Sequence, residues 1–271
     1  MRSIYQGSNY DYVYGLNNYI IEEKEGEKEK NNKLPLCVIY CSSSGLYYPN
    51  TEEQFVNAFV KRNDKFEWRR NRIHKADKEI WIRDITKEFY VRGINKRIDS
   101  IDELLVFMEK ETRGFDLITV GSSGGGYIAT LIGCYLNAKW VYCFSGFFDL
   151  NIIDREIWPL VYEYGQQPEN RKWYQLRDII RKSNTKIFYF YPQNLEGDIK
   201  QAECVIDLPR VYSFQFKSNM HGVPFKDKFG ISVLDRVLNA SEDQLLILYF
   251  RFQKNYIKKY EWILSVLFII K

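Results

Sequence analysis

Leu117-Ile118-Thr119-Val120-Gly121-Ser122-Ser123-Gly124-Gly125-Gly126-Tyr127-Ile128-Ala129-Thr130 is the stretch on which the fold turns. An apolar run breaks at a cluster of small residues and resumes with helical spacing, the pattern of a strand, a sharp turn and a helix. So tight a turn tolerates only small residues two before and two after its apex, because larger side chains would strike the neighbouring strand and helix. Ser123 has Gly121 and Gly125 in those places, whereas Ser122 would put Val120 in one of them. Ser123 is therefore the expected apex and Ser122 the weaker candidate. The apex stands at a helix N-terminus, where free N–H groups and the dipole favour a developing oxyanion. Phosphate binding fits less well: the stretch has no Gly-Lys-Ser/Thr and misses the dinucleotide spacing GxGxxG. The remaining alternative is that the glycines serve only close helix–strand packing.

On either side of the turn, strand and helix signals alternate. Leu36–Cys41 is a continuous apolar run suited to a strand covered on both faces. Glu79–Ile85, Phe115–Gly121, Lys139–Ser145, Lys186–Tyr191 and Arg210–Phe216 read as further strands. Thr51 with Gln54, Ser100 with Glu103 and Ser241 with Gln244 have capping-box spacing, the last ahead of a helix running to about Lys258. Gly124–Asn137 and Ile199–Ile206 complete the helices. Residues 10–14 and 18–22, separated by Gly15-Leu16-Asn17, alternate like an antiparallel hairpin. The expected fold class is α/β: a mostly parallel sheet with an antiparallel N-terminal hairpin at one edge and helices on both faces. Residues 1–271 read as one domain, with residues 146–182 as a lid-like insertion.

These residues resemble the α/β-hydrolase superfamily, in the order oxyanion loop, elbow, acid and histidine from about residue 36 to 258. In that order the histidine follows the serine, and of the two histidines only His221 does. It lies in a loop past the last strand; His74 sits in a polar run. Three acids are open as the orienting carboxylate: Asp198 first, then Asp149 and Glu196, each with the alternative of capping a turn. The oxyanion donors would be Gly124 and one of Ser43 and Ser44, from the loop Ser42-Ser43-Ser44-Gly45. Phe147, Phe148 and Trp158 are candidates for substrate contact, against a packing role. Arg83 and Asp84 read as an ion pair or as contacts to a polar substrate.

Ile82-Arg83-Asp84, Gly121–Tyr127, Phe144-Ser145-Gly146 and His221-Gly222-Val223-Pro224 also resemble a group of hydrolase-like proteins associated with bacterial surface-polysaccharide gene clusters. The resemblances imply a serine-dependent hydrolase acting on an acyl ester, with an O-acyl group on a glycan as one substrate class. An acyltransferase of the same fold and a non-catalytic glycan- or partner-binding module are the alternatives. No metal or organic cofactor is implied.

Composition narrows the partners. The net charge of +4 is spread over interleaved acids and bases, as in Lys24–Lys30, which argues against a nucleic-acid ligand. An odd count of five cysteines with no CxxC pair, and a polar Met1–Asn9, fit a cytoplasmic protein. The apolar stretch Trp262–Ile270 is shorter than the ~20 residues a membrane span needs. It reads as a buried strand or helix end, or as a partner contact.

Overall fold

The computed structural model describes residues 8–24, 33–61, 65–222, 228–253 and 255–270. Seven strands, β1 (Tyr19–Glu23), β2 (Leu36–Cys41), β3 (Lys78–Ile82), β4 (Asp116–Ser122), β5 (Trp140–Phe144), β6 (Lys186–Pro192) and β7 (Val211–Phe216), form one sheet in the order β1-β3-β2-β4-β5-β6-β7. All neighbours are parallel except β1, which runs antiparallel to β3. The helices are α1 (Ser8–Tyr14), α2 (Glu52–Phe55, continuing as one π turn to Val60), α3 (Ile101–Thr112), α4 (Gly124–Tyr135), α5 (Pro159–Gly165), α6 (Pro168–Tyr174), α7 (Arg177–Lys182), α8 (Glu196–Glu203), α9 (Lys228–Leu238), α10 (Glu242–Phe252) and α11 (Lys259–Ile269).

The continuous apolar runs are two-sided cores. Along β2, Cys37, Ile39 and Cys41 join a cluster with α3, α4 and residues of α5–α8, while Val38 and Tyr40 join a cluster with α9, α10 and α11 on the other face. The latter face explains much of the aromatic content. Phe144, Phe190 and Phe214 stack side by side across β5, β6 and β7 at 4.8 and 4.7 Å, and Trp262 of α11 packs edge-on over Phe190 and Phe214. Such ring pairs add about 0.5–1.5 kcal/mol each beyond burial.

Two expectations change. The antiparallel edge is a single strand, β1, and residues 10–14 are helical rather than its hairpin partner. Tyr10, Val13 and Tyr14 lie buried at helical spacing against Phe55 and Phe59, while Tyr12 points outward. Tyrosines at 10, 12 and 14 satisfy a period of two as well, and the partner surface decided between them. At the other end, the helix capped by Ser241 stops at Phe252, and Trp262–Ile269 belongs to a separate helix, α11, with Ile270 as its C-cap. Among the described residues no helix is long and apolar enough to cross a membrane.

Candidate active site

Ser123 is the hinge between β4 and α4. Its φ of 53° and ψ of −125° lie outside the regions an L-residue prefers. The strand hands over without a gap: Ser122 is in register with Phe144, and the Ser123 N–H donates to the Phe144 carbonyl at 2.9 Å. The flanking glycines are sterically required. A Cβ on Gly121 would fall 2.0 Å from the Gly125 carbonyl oxygen, and one on Gly125 would fall 2.3 Å from that of Cys41. The Ser123 side chain makes no capping bond to α4.

The loops after β4, β5 and β6 emerge side by side at the carboxyl edge of the sheet. After β6, Asp198 lies in the first turn of α8, which begins at Glu196, earlier than expected. Its carboxylate is 8% exposed and meets His221 Nδ1 with both oxygens, at 3.0 and 2.9 Å. After β5, the wholly buried Ser145 accepts the Gly222 N–H on its hydroxyl at 2.8 Å and donates its own N–H to Phe190 at 2.7 Å. The loop carrying His221 is thus tied to β5 at the neighbouring residue.

The other two acids are engaged elsewhere. Asp149 caps a short 3-10 turn through Asn151 and takes the Gln175 side-chain amide at 2.9 Å. Glu196 is exposed and pairs with Lys200 at 2.6 Å. His74 is exposed and contacts Asp235.

After β2, the loop Ser42–Gly45 faces the turn. A Cβ on Gly124 would lie 2.7 Å from Ser44 Oγ, so the Ser44 hydroxyl sits directly against the start of α4. Ser43 is occupied: its N–H and hydroxyl donate to the two oxygens of Glu67, at 2.7 and 2.8 Å. Expected as one of two alternative oxyanion donors, Ser43 is instead bound to the segment around Glu67. Among the described residues no group of three or more His, Cys, Asp or Glu side chains could hold a metal.

No family model and no curated protein matches the chain. Solved structures do. The capsule O-acetyltransferase of Neisseria meningitidis serogroup A superposes with a TM-score of 0.50 at 14% identity, covering 75% of this chain and 84% of that one. The acylaminoacyl peptidase of Pyrococcus horikoshii gives 0.50 at 12% identity over 93% of this chain and 41% of its own. The chain has the α/β-hydrolase fold.

Within that α/β-hydrolase fold the aromatic surroundings divide. Phe147 is half-buried with its ring 6.1 Å from that of His221. Phe148, expected beside it at the substrate, is wholly buried and packs edge-on to Tyr189 at 4.8 Å, a core residue instead. Alternation along an extended segment sends neighbours to opposite sides, so only one of the pair can face the site. Trp158 meets Phe89 at 5.0 Å, and Phe89 meets Phe147 at 4.8 Å. Phe89 also abuts Gly124.

Phe89 was not a candidate from sequence, and the reason it lies here is Asp84. The buried Asp84 carboxylate accepts the N–H groups of Thr86, Lys87, Glu88 and Tyr90. That holds Lys87, Phe89 and Tyr90 at positive φ. Burial holds the Asp84 carboxyl above its ordinary range, against the opposing pull of the Thr86 hydroxyl and the backbone donors. Arg83 has other partners: Asn18 Oδ1 at 2.9 Å and the ring of Phe66, 4.4 Å from the guanidinium. The pair shapes the loop next to the site by separate contacts.

Proposed function

We propose that the chain is a serine-dependent acyl-ester hydrolase with Ser123 as nucleophile, His221 as general base and Asp198 as the orienting acid. The observation that carries this reading is the buried Asp198 carboxylate on His221 Nδ1, at the same sheet edge as a serine strained at the apex of its turn. Asp198 accepts from Nδ1–H, which leaves Nε2 to take the Ser123 proton as Oγ attacks the acyl carbon. The tetrahedral oxyanion accepts from the N–H groups of Gly124 and Ser44. His221 then returns the proton to the departing alcohol oxygen, and water, activated the same way, releases the acid.

Phe147 and Trp158 form the acyl-facing wall, backed by the buried Phe89, and residues 146–182 serve as the lid over it. Transfer of the acyl group to a sugar hydroxyl uses the same steps with a different acceptor. The fold shared with a capsule O-acetyltransferase keeps that acceptor as the second reading.

A fluorophosphonate probe tests the nucleophile. Wild type and Ser122→Ala should label, and Ser123→Ala should not. Undiminished labelling of Ser123→Ala would remove the proposal, and folded wild type that never labels would leave a binding module.

A further inference from the structure

The apolar C-terminal stretch has no part in this chemistry. Its inner face, Trp262 and Val266, is buried on the sheet beside Leu245, Leu248 and Phe252 of α10. Because both helices bury one face in the same cluster, their opposite faces look outward together. Tyr260, Leu264, Leu267 and Phe268 of α11, Ile247 and Phe250 of α10, and Tyr256 between them are all large and apolar, and are from 46% (Leu267) to 77% (Phe268) exposed.

With a whole aromatic side chain counting ~150–250 Å², and Leu and Ile somewhat less, this face exposes on the order of 700–800 Å². The largest apolar patch of an ordinary monomer is about 300–600 Å², and one side of a standard stable interface is about 800 Å².

We infer that this face is the contact between two copies of the chain, related by a two-fold axis. Three features select a second copy. The area matches one half of a standard interface. Residues Ile263–Ile269 carry no charge, so nothing on the face opposes self-association. The charges flanking it along the chain are Asp243 and Glu261 with Arg251, Lys254, Lys258 and Lys259, so acids are present to meet the bases of a second copy. A self-complementary contact needs both.

The spacing 260, 264, 267, 268 lays a single stripe along α11. Two such stripes crossing antiparallel put Leu264 on the axis and Tyr260 of each copy opposite Phe268 of the other. The contact lies on the α9–α11 side of the sheet, and α4 packs on the opposite face, so the Ser123 turn stays accessible.

Sedimentation equilibrium of the full chain at ~1–50 μM tests this, with Leu264→Glu and Phe268→Glu as variants. Both positions are exposed, so the fold should survive, with far-UV circular dichroism and probe labelling of Ser123 as checks. Wild type should sediment at twice the mass of one chain, and each variant should raise the dimer dissociation constant at least 100-fold. Leu264→Cys should cross-link to itself on mild oxidation. A wild-type monomer at 50 μM overturns the inference. So does wild type that is monomeric in solution but co-sediments with phosphatidylglycerol vesicles, or a dimer unmoved by both variants. Dimerisation and labelling are read separately, so loss of either proposal leaves the other standing.

Discussion

Asp198, Asp149 and Glu196 are three carboxylates with three environments. Asp198 gives both oxygens to His221 Nδ1, Asp149 holds Asn151 and Gln175, and Glu196 lies in solvent against Lys200. Asp198→Asn should therefore lower ester turnover by about 10⁴-fold, the cost of a wrong histidine tautomer in intact geometry. Asp149→Asn and Glu196→Gln should stay within a few-fold of wild type. Turnover of one ester by the three folded variants decides it, and a collapse on Asp149→Asn alone would move the acid to the β5 loop. The contact of Asp198 with His221 was legible because both sit just past strands that read clearly. Ser145, Glu67 and Phe89 were not. The bond between Ser145 and Gly222 joins residues 77 apart in sequence, and no local pattern marks a serine for that purpose. The occupation of Ser43 by Glu67 was invisible for the same reason.

Elements with a backbone constraint of their own were legible, and those set by a partner surface were not. The turn at Ser123 could be placed to the residue because sterics forbid the alternative register. The strands β2 to β7 were recognisable in sequence, β2 as a continuous apolar run covered on both faces. α1 carried two periods at once, and only its packing on Phe55 and Phe59 chose the helix. Arg83 and Asp84 read in sequence as an ion pair or as contacts to a polar substrate, whereas Asp84 folds the backbone of Thr86–Tyr90, which packs the buried Phe89 against Gly124. Asp84→Asn keeps the size but puts an amide NH2 where one oxygen accepts two backbone N–H groups, so two of the four bonds are lost and the other two accept from a neutral oxygen. It should loosen the wall beside Gly124, raising KM for bulky acyl esters several-fold while a short acetyl ester is little affected. A parallel series of acetyl to hexanoyl esters measures this, and equal loss across the series would mean that Asp84 acts on stability alone.

At the scale of the whole molecule, the loop next to the site places a carboxyl where the fold cannot easily ionise it. Glu88 is wholly buried, and neither of its oxygens has a hydrogen-bond partner among the described residues. Burial, reinforced by the charge of Asp84, pushes its pKa up to about 8 from the ordinary 4.5. Between those values the unfolded chain has released the proton and the folded chain still holds it. The folded state then binds more protons, so stability falls as pH rises. The contribution of Glu88 is thus fully present below about pH 4.5 and lost by about pH 8. The neighbouring Lys87 works in a separate window. Burial brings its ammonium down to about 8 from 10.5, so its effect changes only above pH 8, where rising pH restores stability. Glu88→Gln keeps the volume and removes the titration. Relative to wild type it should be nearly neutral at pH 4.5 and more stable by a few kcal/mol at pH 8, because each pH unit between the unfolded and folded pKa values is worth about 1.4 kcal/mol. Urea unfolding of both proteins at about pH 4.5, 6 and 8 measures the difference directly. A difference that stays flat across the three would show that Glu88 ionises freely in the folded protein and that water reaches the loop behind Phe89.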